Sequence, residues 1–521
     1  MSAALKLPVP EPITPEPEKT LLHLVTCGSV DDGKSTLLGR LLFDSNAVLE
    51  DQLTALDRDS KRFGTHGDAR DYALLVDGLS AEREQGITID IAYRYFSTSR
   101  RSFILADAPG HEQYTRNMAT GASRADLAII LIDARKGVLP QTRRHSYIVG
   151  MLGVRNIVLA VNKMDLVGFD RAIYEKIVAD YRAAVAPLGF AFIVAIPICA
   201  REGDNVVTRS ARMAWYNGPA LLEHLESVPA EPEPDTASGF HFPVQLVNRP
   251  NLDFRGYAGT VSSGTVYANQ PVIVQPSGAR SRIARIVTAD GELASAEAGQ
   301  AVTLTLTDEI DISRGDVIVP ADSPLTSVSE ITARVLWMVE EPLSIGQGLL
   351  IKIGAATANV RVASLYHAID IHSFATSPAS QLAMNEIGVA ELVFDKPLAA
   401  AAYATDRELG ALVLIDRMTN QTVALGVVDA TPTSVEAEAG EKPAATTRAP
   451  AVAPVTVPRA EADQVSVWSG RLLSAAVLAG LVGGVSGNAM LAAAVGIADI
   501  MLCPILTRLI ASARSVRAGG D

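Results

Sequence analysis

Cysteine is scarce in this chain, with three in 521 residues. Cys27, Cys199 and Cys503 are too few and too scattered for a disulfide framework. The absence of any C-x-x-C pair or Cys/His cluster excludes the common zinc patterns. Basic residues are outnumbered, 45 against 58 acidic, for a net charge of −13. That balance argues against wrapping a nucleic-acid backbone, and no nucleic-acid partner is expected. Residues 1–19 lack a basic start and an apolar core, so they do not read as a secretory signal. Their proline and glutamate predict a disordered leader. A chain of 521 residues is expected to split into several domains, each with its own core.

What is present begins at residue 28. Gly28, Ser29, Val30, Asp31, Asp32, Gly33, Lys34 and Ser35 fit G-x-x-x-x-G-K-[ST]. An apolar run, Leu21 to Thr26, precedes the motif, and the helically spaced run Thr36 to Leu42 follows it. Strand, glycine loop and helix form the context of a phosphate-binding loop. Glycines let successive N–H groups converge on phosphate oxygens, and the helix N-terminus adds partial positive charge. Lys34 is placed to reach the β- and γ-phosphates, and Ser35 to ligate Mg²⁺.

Four further stretches specify the base and the chemistry. Asn162, Lys163, Met164 and Asp165 follow the apolar run Ile157–Val161. A carboxylate can accept both guanine N1–H and N2–H₂, a pair adenine lacks, and Asp165 is the candidate. Asn162 is expected to brace the loop, and the Lys163 stem to cover the base. The same residues also suit a polar turn after a strand. Pro197, Ile198, Cys199 and Ala200 close the pocket, with the Ala200 N–H directed at guanine O6. Asp107, Ala108, Pro109, Gly110 and His111 follow the strand-like run Ser102–Ala106. Asp107 can hold Mg²⁺ through a water, and the Gly110 N–H can bond the γ-phosphate. His111 stands where a side chain can orient the attacking water; taken alone, it suits a surface or capping histidine. Thr88, in the segment Glu82 to Ile89, offers a hydroxyl to complete the Mg²⁺ shell, or is an ordinary strand threonine. Such a segment is ordered by the γ-phosphate and released after hydrolysis.

The ordered set resembles translation-factor-type GTPases. The stretches Leu37–Leu42, Glu84–Phe96, Glu112–Met118, Val247–Tyr257 and Ile415–Asn420 narrow the match. They are similar to the large, GTP-hydrolysing subunit of bacterial sulfate adenylyltransferase, over about residues 20–430. The resemblance implies a P-loop GTPase domain followed by two β-barrels, with GTP and Mg²⁺ as ligands. It implies a heterodimer or larger assembly with a smaller catalytic subunit, which makes adenylyl sulfate and pyrophosphate from ATP and sulfate. It implies that Val30 and Ile87 gate the approach of His111. Asp31 either favours a monovalent cation near the phosphates or is a solvent-facing carboxylate. One departure stands in the guanine loop: the family usually has serine where this chain has Cys199, a weaker hydrogen-bonding side chain expected to loosen that loop. A translation-elongation GTPase and a membrane-tethered GTPase switch are the alternatives.

The strand and helix pattern divides the chain. Residues 20–229 alternate apolar runs with helical stretches such as Arg171–Ala184, which predicts a mostly parallel sheet covered on both faces. Pro229–Asp235 reads as a stiff linker. Short strand-like runs over 240–320 and again over 328–430 fit two barrels. Residues 431–466 shift to a Pro/Ala-rich tether. No second phosphate loop follows, so a fused adenylylsulfate kinase is not expected. Residues 467–521 instead carry two apolar runs, Leu472–Val485 and Ala489–Leu506, around Gly487 and Asn488. With Arg471 before the pair and Arg508, Arg514 and Arg517 at or after its end, they predict a helical hairpin. Membrane contact through 467–510, at the cytoplasmic face, is one expectation; Asp499 within the second run argues for a soluble hairpin instead.

Overall fold

The computed structural model describes residues 19–45, 47–63, 70–76, 88, 90–229, 239–251 and 254–432. The leader through residue 18, Glu82–Ile87, Ile89, the linker beyond Pro229, most of the 431–466 tether and the 467–521 hairpin lie outside these residues.

The N-terminal part is a six-stranded sheet in the order β2-β3-β1-β4-β5-β6. Its strands are β1 Thr20–Cys27, β2 Ala92–Ser97, β3 Arg101–Asp107, β4 Leu127–Asp133, β5 Asn156–Asn162 and β6 Phe192–Pro197. All neighbours pair in parallel except β2 with β3. All seven residues of β4 are buried, as the near-continuous apolar run of a central parallel strand requires. The helices are α1 Lys34–Asp44, α2 Glu50–Phe63, α3 Thr115–Ala122, α4 Pro140–Met151, α5 Arg171–Val185 and α6 Leu221–Ser227. Helix α5 starts where Asp170 accepts the Ala172 and Ile173 N–H groups. Removing such a cap costs about 1 kcal/mol.

Buried Arg101 ties β3 to the end of α6. It donates to Leu225 O at 3.0 Å, Val228 O at 2.5 Å and Thr20 Oγ1 at 2.9 Å. These bonds satisfy carbonyls at a helix C-terminus that have no partner within the helix. The sheet is thereby fixed, and its carboxyl ends carry the loops that follow Cys27, Asp107, Asp133, Asn162 and Pro197. Open α/β sheets collect ligands at that edge.

Two closed barrels follow. In the first, six strands pair in a ring that closes where Pro271–Gln275 meets Ala279–Thr288. In the second, Gly348–Ile353 meets Ala356–Ile369 to close another six-stranded ring. Closure leaves no unpaired edge in either ring. The segment around Tyr403 joins all three parts. Tyr403 Oη donates to Leu152 O at 2.9 Å, and Arg407 donates to Gly153 O at 3.0 Å. Asp406 meets His241 Nδ1 and Ser262 Oγ of the first barrel, each at 2.8 Å.

No helix among the described residues is long and apolar enough to cross a membrane.

Candidate functional site

The loop between β1 and α1 turns on Gly33, whose φ of 93° is left-handed. A Cβ there would lie 2.5 Å from Asn162 Nδ2, so the backbone conformation and the close approach both require glycine. Lys34 is buried and donates to Gly28 O at 3.2 Å and Ser29 O at 2.9 Å. Burial, offset in part by Asp107 and Asp32, lowers its ammonium below the usual lysine range. Gly110 packs against this ammonium: a Cβ there would stand 2.5 Å from Lys34 Nζ. The structure therefore brings Gly110 and Lys34 together, with Ala108 and Pro109 buried between Gly110 and the strand.

Three oxygens from three segments meet beside the loop. Ser35 Oγ lies 3.3 Å from Asp107 Oδ2 and 3.4 Å from Thr88 Oγ1. Thr26 Oγ1 donates to Asp107 Oδ1 at 2.9 Å and fixes that carboxylate. Thr88 stands outside any strand here. Two hydroxyls and a carboxylate are hard oxygen donors of the kind Mg²⁺ takes, so the set fits that ion.

Asn162 links two loops. Its Nδ2 donates to Asp32 O at 2.8 Å, and its Oδ1 accepts the Ala200 N–H at 3.0 Å. Asn162 thus spans the two loops, and the Ala200 N–H is engaged by its side chain. Lys163, left-handed at φ 62°, bonds Asp31 O and pairs with Asp133 Oδ2 at 3.2 Å. Buried Met164 anchors the turn through its N–H to Ile198 O at 3.3 Å. Cys199 Sγ donates to Asp165 Oδ1 at 3.2 Å.

His111 is exposed, and its Nδ1 accepts the Gln113 N–H at 3.3 Å. In this structure it caps the short turn Glu112–Tyr114. Val30 is half-buried and Asp31 exposed; Ile87 lies outside the described residues. Thr36 continues α1 behind Ser35.

Several side chains that matter here were not singled out in the sequence. Asp133 accepts a forked pair from Arg135 at 3.0 and 2.6 Å. Burial opposes its ionisation, but Arg135 and Lys163 outweigh it and hold the carboxyl at about 2. Asp133 thus anchors Lys163. His145 on α4 accepts the Gly28 N–H at its Nδ1, 3.1 Å away. An acidic residue closing the apolar run Leu127–Ile132 was a readable sign of Asp133. Gln141 and His145, four apart behind Pro140, were a readable helix-face pair.

Residues 19–268 match the elongation factor Tu GTP binding domain, and residues 330–429 the GTP-eEF1A C-terminal domain-like family. Sulfate adenylyltransferase subunit 1 of Citrobacter koseri is 56% identical over 411 residues, 79% of this chain and 86% of that protein. The chain belongs to the sulfate adenylyltransferase subunit 1 family. The protein of that name from Yersinia enterocolitica is 54% identical over 421 residues, 81% of this chain and 88% of its own length. The bifunctional enzyme CysN/CysC of Xylella fastidiosa is 55% identical over 412 residues, 79% of this chain and 66% of that protein. This chain therefore carries a P-loop GTP-binding domain and a C-terminal β-barrel domain, and the loops described above sit on the first of these.

Proposed function

We propose that this chain hydrolyses GTP and couples that reaction to a separate small subunit. That subunit forms adenylyl sulfate and pyrophosphate from ATP and sulfate. The observation that carries the reading is the meeting of Ser35, Thr88 and Asp107 beside a glycine loop. It occurs in a chain 56% identical to a sulfate adenylyltransferase subunit 1.

The residues have distinct roles in this reading. The loop from Gly28 to Gly33, with Ser29, Val30, Asp31 and Asp32, wraps the phosphates, and Thr36 continues the helix behind them. Lys34 presents its ammonium to the phosphate oxygens. Ser35 and Thr88 would hold Mg²⁺, with the Asp107 carboxylate beside them. When bound, that ion neutralises charge on the transferring phosphoryl group. Gly110 offers its N–H to the γ-phosphate, and Ala108 and Pro109 set its position. His111 swings from its capping position to orient water. Asp165 reads guanine, while Asn162, Lys163, Met164, Cys199 and Ala200 shape the base pocket. Loss of the γ-phosphate frees Thr88 and Gly110, and the partner responds by binding the two states with different energy.

The test is co-purification with the small subunit, followed by adenylyl sulfate synthesis with and without GTP. GTP-stimulated synthesis is expected. An equal rate without GTP, or GTP-dependent retention of aminoacyl-RNA in a filter assay, overturns the reading.

The apolar hairpin assigned to residues 467–521 is a separate proposal. Fractionation of the full chain against a chain ending at 466 decides it: membrane contact requires that only the full chain sediment with membranes.

A further inference from the structure

A buried histidine behind the phosphate loop sits between two claims on one side-chain amide. His145 is fully buried, and its Nδ1 accepts the Gly28 N–H at 3.1 Å. Its Nε2 lies 2.8 Å from the Gln141 amide nitrogen. Gln141 Oε1 takes Arg144 Nη1 at 3.0 Å, and Arg144 pairs with Glu112 Oε1 at 2.7 Å. Glu112 immediately follows His111. Its carbonyl accepts Asn385 Nδ2, from the second barrel, at 3.2 Å.

The proton count does not close in that arrangement. Burial, reinforced by Lys34 and Arg144, pushes His145 down to about 3, so the ring is neutral and carries a single N–H. A neutral imidazole cannot accept at both nitrogens. Two arrangements satisfy the chemistry. In the first, Nδ1 is bare and holds the Gly28 N–H. Nε2 then carries the proton and needs an oxygen, so the Gln141 amide turns its Oε1 to His145 and away from Arg144. In the second, Oε1 stays on Arg144 and the amide NH₂ donates to a bare Nε2. The proton then sits on Nδ1, and the Gly28 amide loses its acceptor. The ring holds one proton in both arrangements. Passing from one to the other releases one proton from one ring nitrogen to water and takes one from water at the other, while the Gln141 amide turns over, so the count is unchanged.

The geometry points to a two-position relay. Gln141 and His145 let the phosphate loop or the Arg144–Glu112 pair have a full set of hydrogen bonds, but not both together. His145 is then a positioning residue for GTP hydrolysis, acting through the Gly28 amide. Asn385 of the second barrel biases the relay through Glu112. Arg144 is suited to this role because its Nε is buried without a partner among the described residues, which leaves the guanidinium dependent on Gln141 and Glu112. The inference rests on the GTPase reading and adds a connection between the barrel and the phosphate loop.

A double-mutant cycle on the full chain tests it by single-turnover GTP hydrolysis, with GTP affinity measured in parallel. Gln141→Glu offers two oxygens, one for His145 and one for Arg144, and so removes the need to choose. Asn385→Ala removes the barrel's hold on Glu112. Asn385→Ala is expected to change the hydrolysis rate several-fold in the parent and to have no effect beside Gln141→Glu. Equal effects of Asn385→Ala in both backgrounds overturn the relay, as does no effect in the parent. Normal GTP affinity in the variants with additive rates rejects the relay alone, whereas a parent that binds no GTP rejects the GTPase reading. Nitrogen NMR of ¹⁵N-histidine chain gives a second measure independent of the variants' rates. The His145 tautomer is expected to differ between the parent and Asn385→Ala, and an identical tautomer in the two counts against the relay.

Discussion

The Cys199 thiol donates to Asp165 Oδ1 across 3.2 Å and so holds the candidate base-reading carboxylate. Burial first, and then Asp165 itself, pushes that thiol up to about 12, which keeps it an S–H donor at any working pH. The sequence suggests a loosened loop at this position; in the structure the thiol meets the carboxylate as a weaker donor than a hydroxyl. Cys199→Ser is expected to tighten GTP binding by about 1 kcal/mol, several-fold in Kd, through a stronger bond to an ionised acceptor. Titration calorimetry checks this, and an unchanged Kd means the thiol already positions Asp165 fully.

Asp165→Asn exchanges one of two acceptor oxygens for a donor. A guanine N1–H and N2–H₂ pair then meets one acceptor and one opposing N–H. The expected outcome is GTP affinity reduced by about 2 kcal/mol or more, with a purine bearing oxygen at C2 preferred. Competition between GTP and xanthosine triphosphate reads this directly. Undiminished GTP selectivity removes Asp165 from the base site.

His111→Ala is expected to slow hydrolysis at least about a hundred-fold, as loss of a positioned water-orienting group does, while GTP affinity stays within a few-fold. In the structure the exposed side chain accepts the Gln113 N–H and lies 6.0 Å from the Tyr114 ring, both within its own turn, so its removal takes no residue from the buried core. Comparing kcat with Kd separates the two effects, and parallel losses in both assign His111 a structural role.

Asp32 makes the stability of the nucleotide-free chain pH-dependent. Its Oδ2 accepts the Ser29 N–H at 2.6 Å, while Oδ1 is buried with no partner among the described residues. Burial outweighs the attraction of Lys34 and raises this carboxyl to about 6. The folded chain then holds the proton more tightly than the unfolded chain does. The stabilisation is complete below the ordinary carboxylate range and is lost as pH rises through about 6. Asp32→Asn removes the titration, so its unfolding free energy, read by denaturant titration, is expected to gain on the parent by about 2 kcal/mol between about pH 4 and pH 7.5. A constant difference across that range places no ionisation at Asp32.

Much of the sheet was legible because parallel strands buried on both faces are written as continuous apolar runs. Leu127–Asp133 and Asn156–Asn162 are two of them. The loops at their carboxyl ends were legible because each chemical task needs a particular residue type at a fixed offset from its strand. Short strand-like runs fitted closed barrels but did not show which strands meet to close them, since the pairing of Gly348–Ile353 with Ala356–Ile369 is a matter of register. His145 was legible as a helix-face partner of Gln141 but not as a residue of the site. Its place on α4 marks it only as a core-facing helical residue, and its partner Gly28 lies 117 positions away.

By itself, the sequence determined the candidates for a nucleotide site: the glycine loop, Lys34, Ser35, Asp107 and the Asn162–Asp165 turn. Those choices are local, dictated by the backbone freedom and donor chemistry each short loop must supply. Only the tertiary structure decided which residues hold these loops to one another. Asp133 grips Lys163, Asn162 spans from Asp32 to Ala200, and Asn385 of the second barrel reaches the Glu112 carbonyl. Such partners are set by packing between distant segments, and a hydrogen bond between residues 273 positions apart leaves no periodicity in the chain.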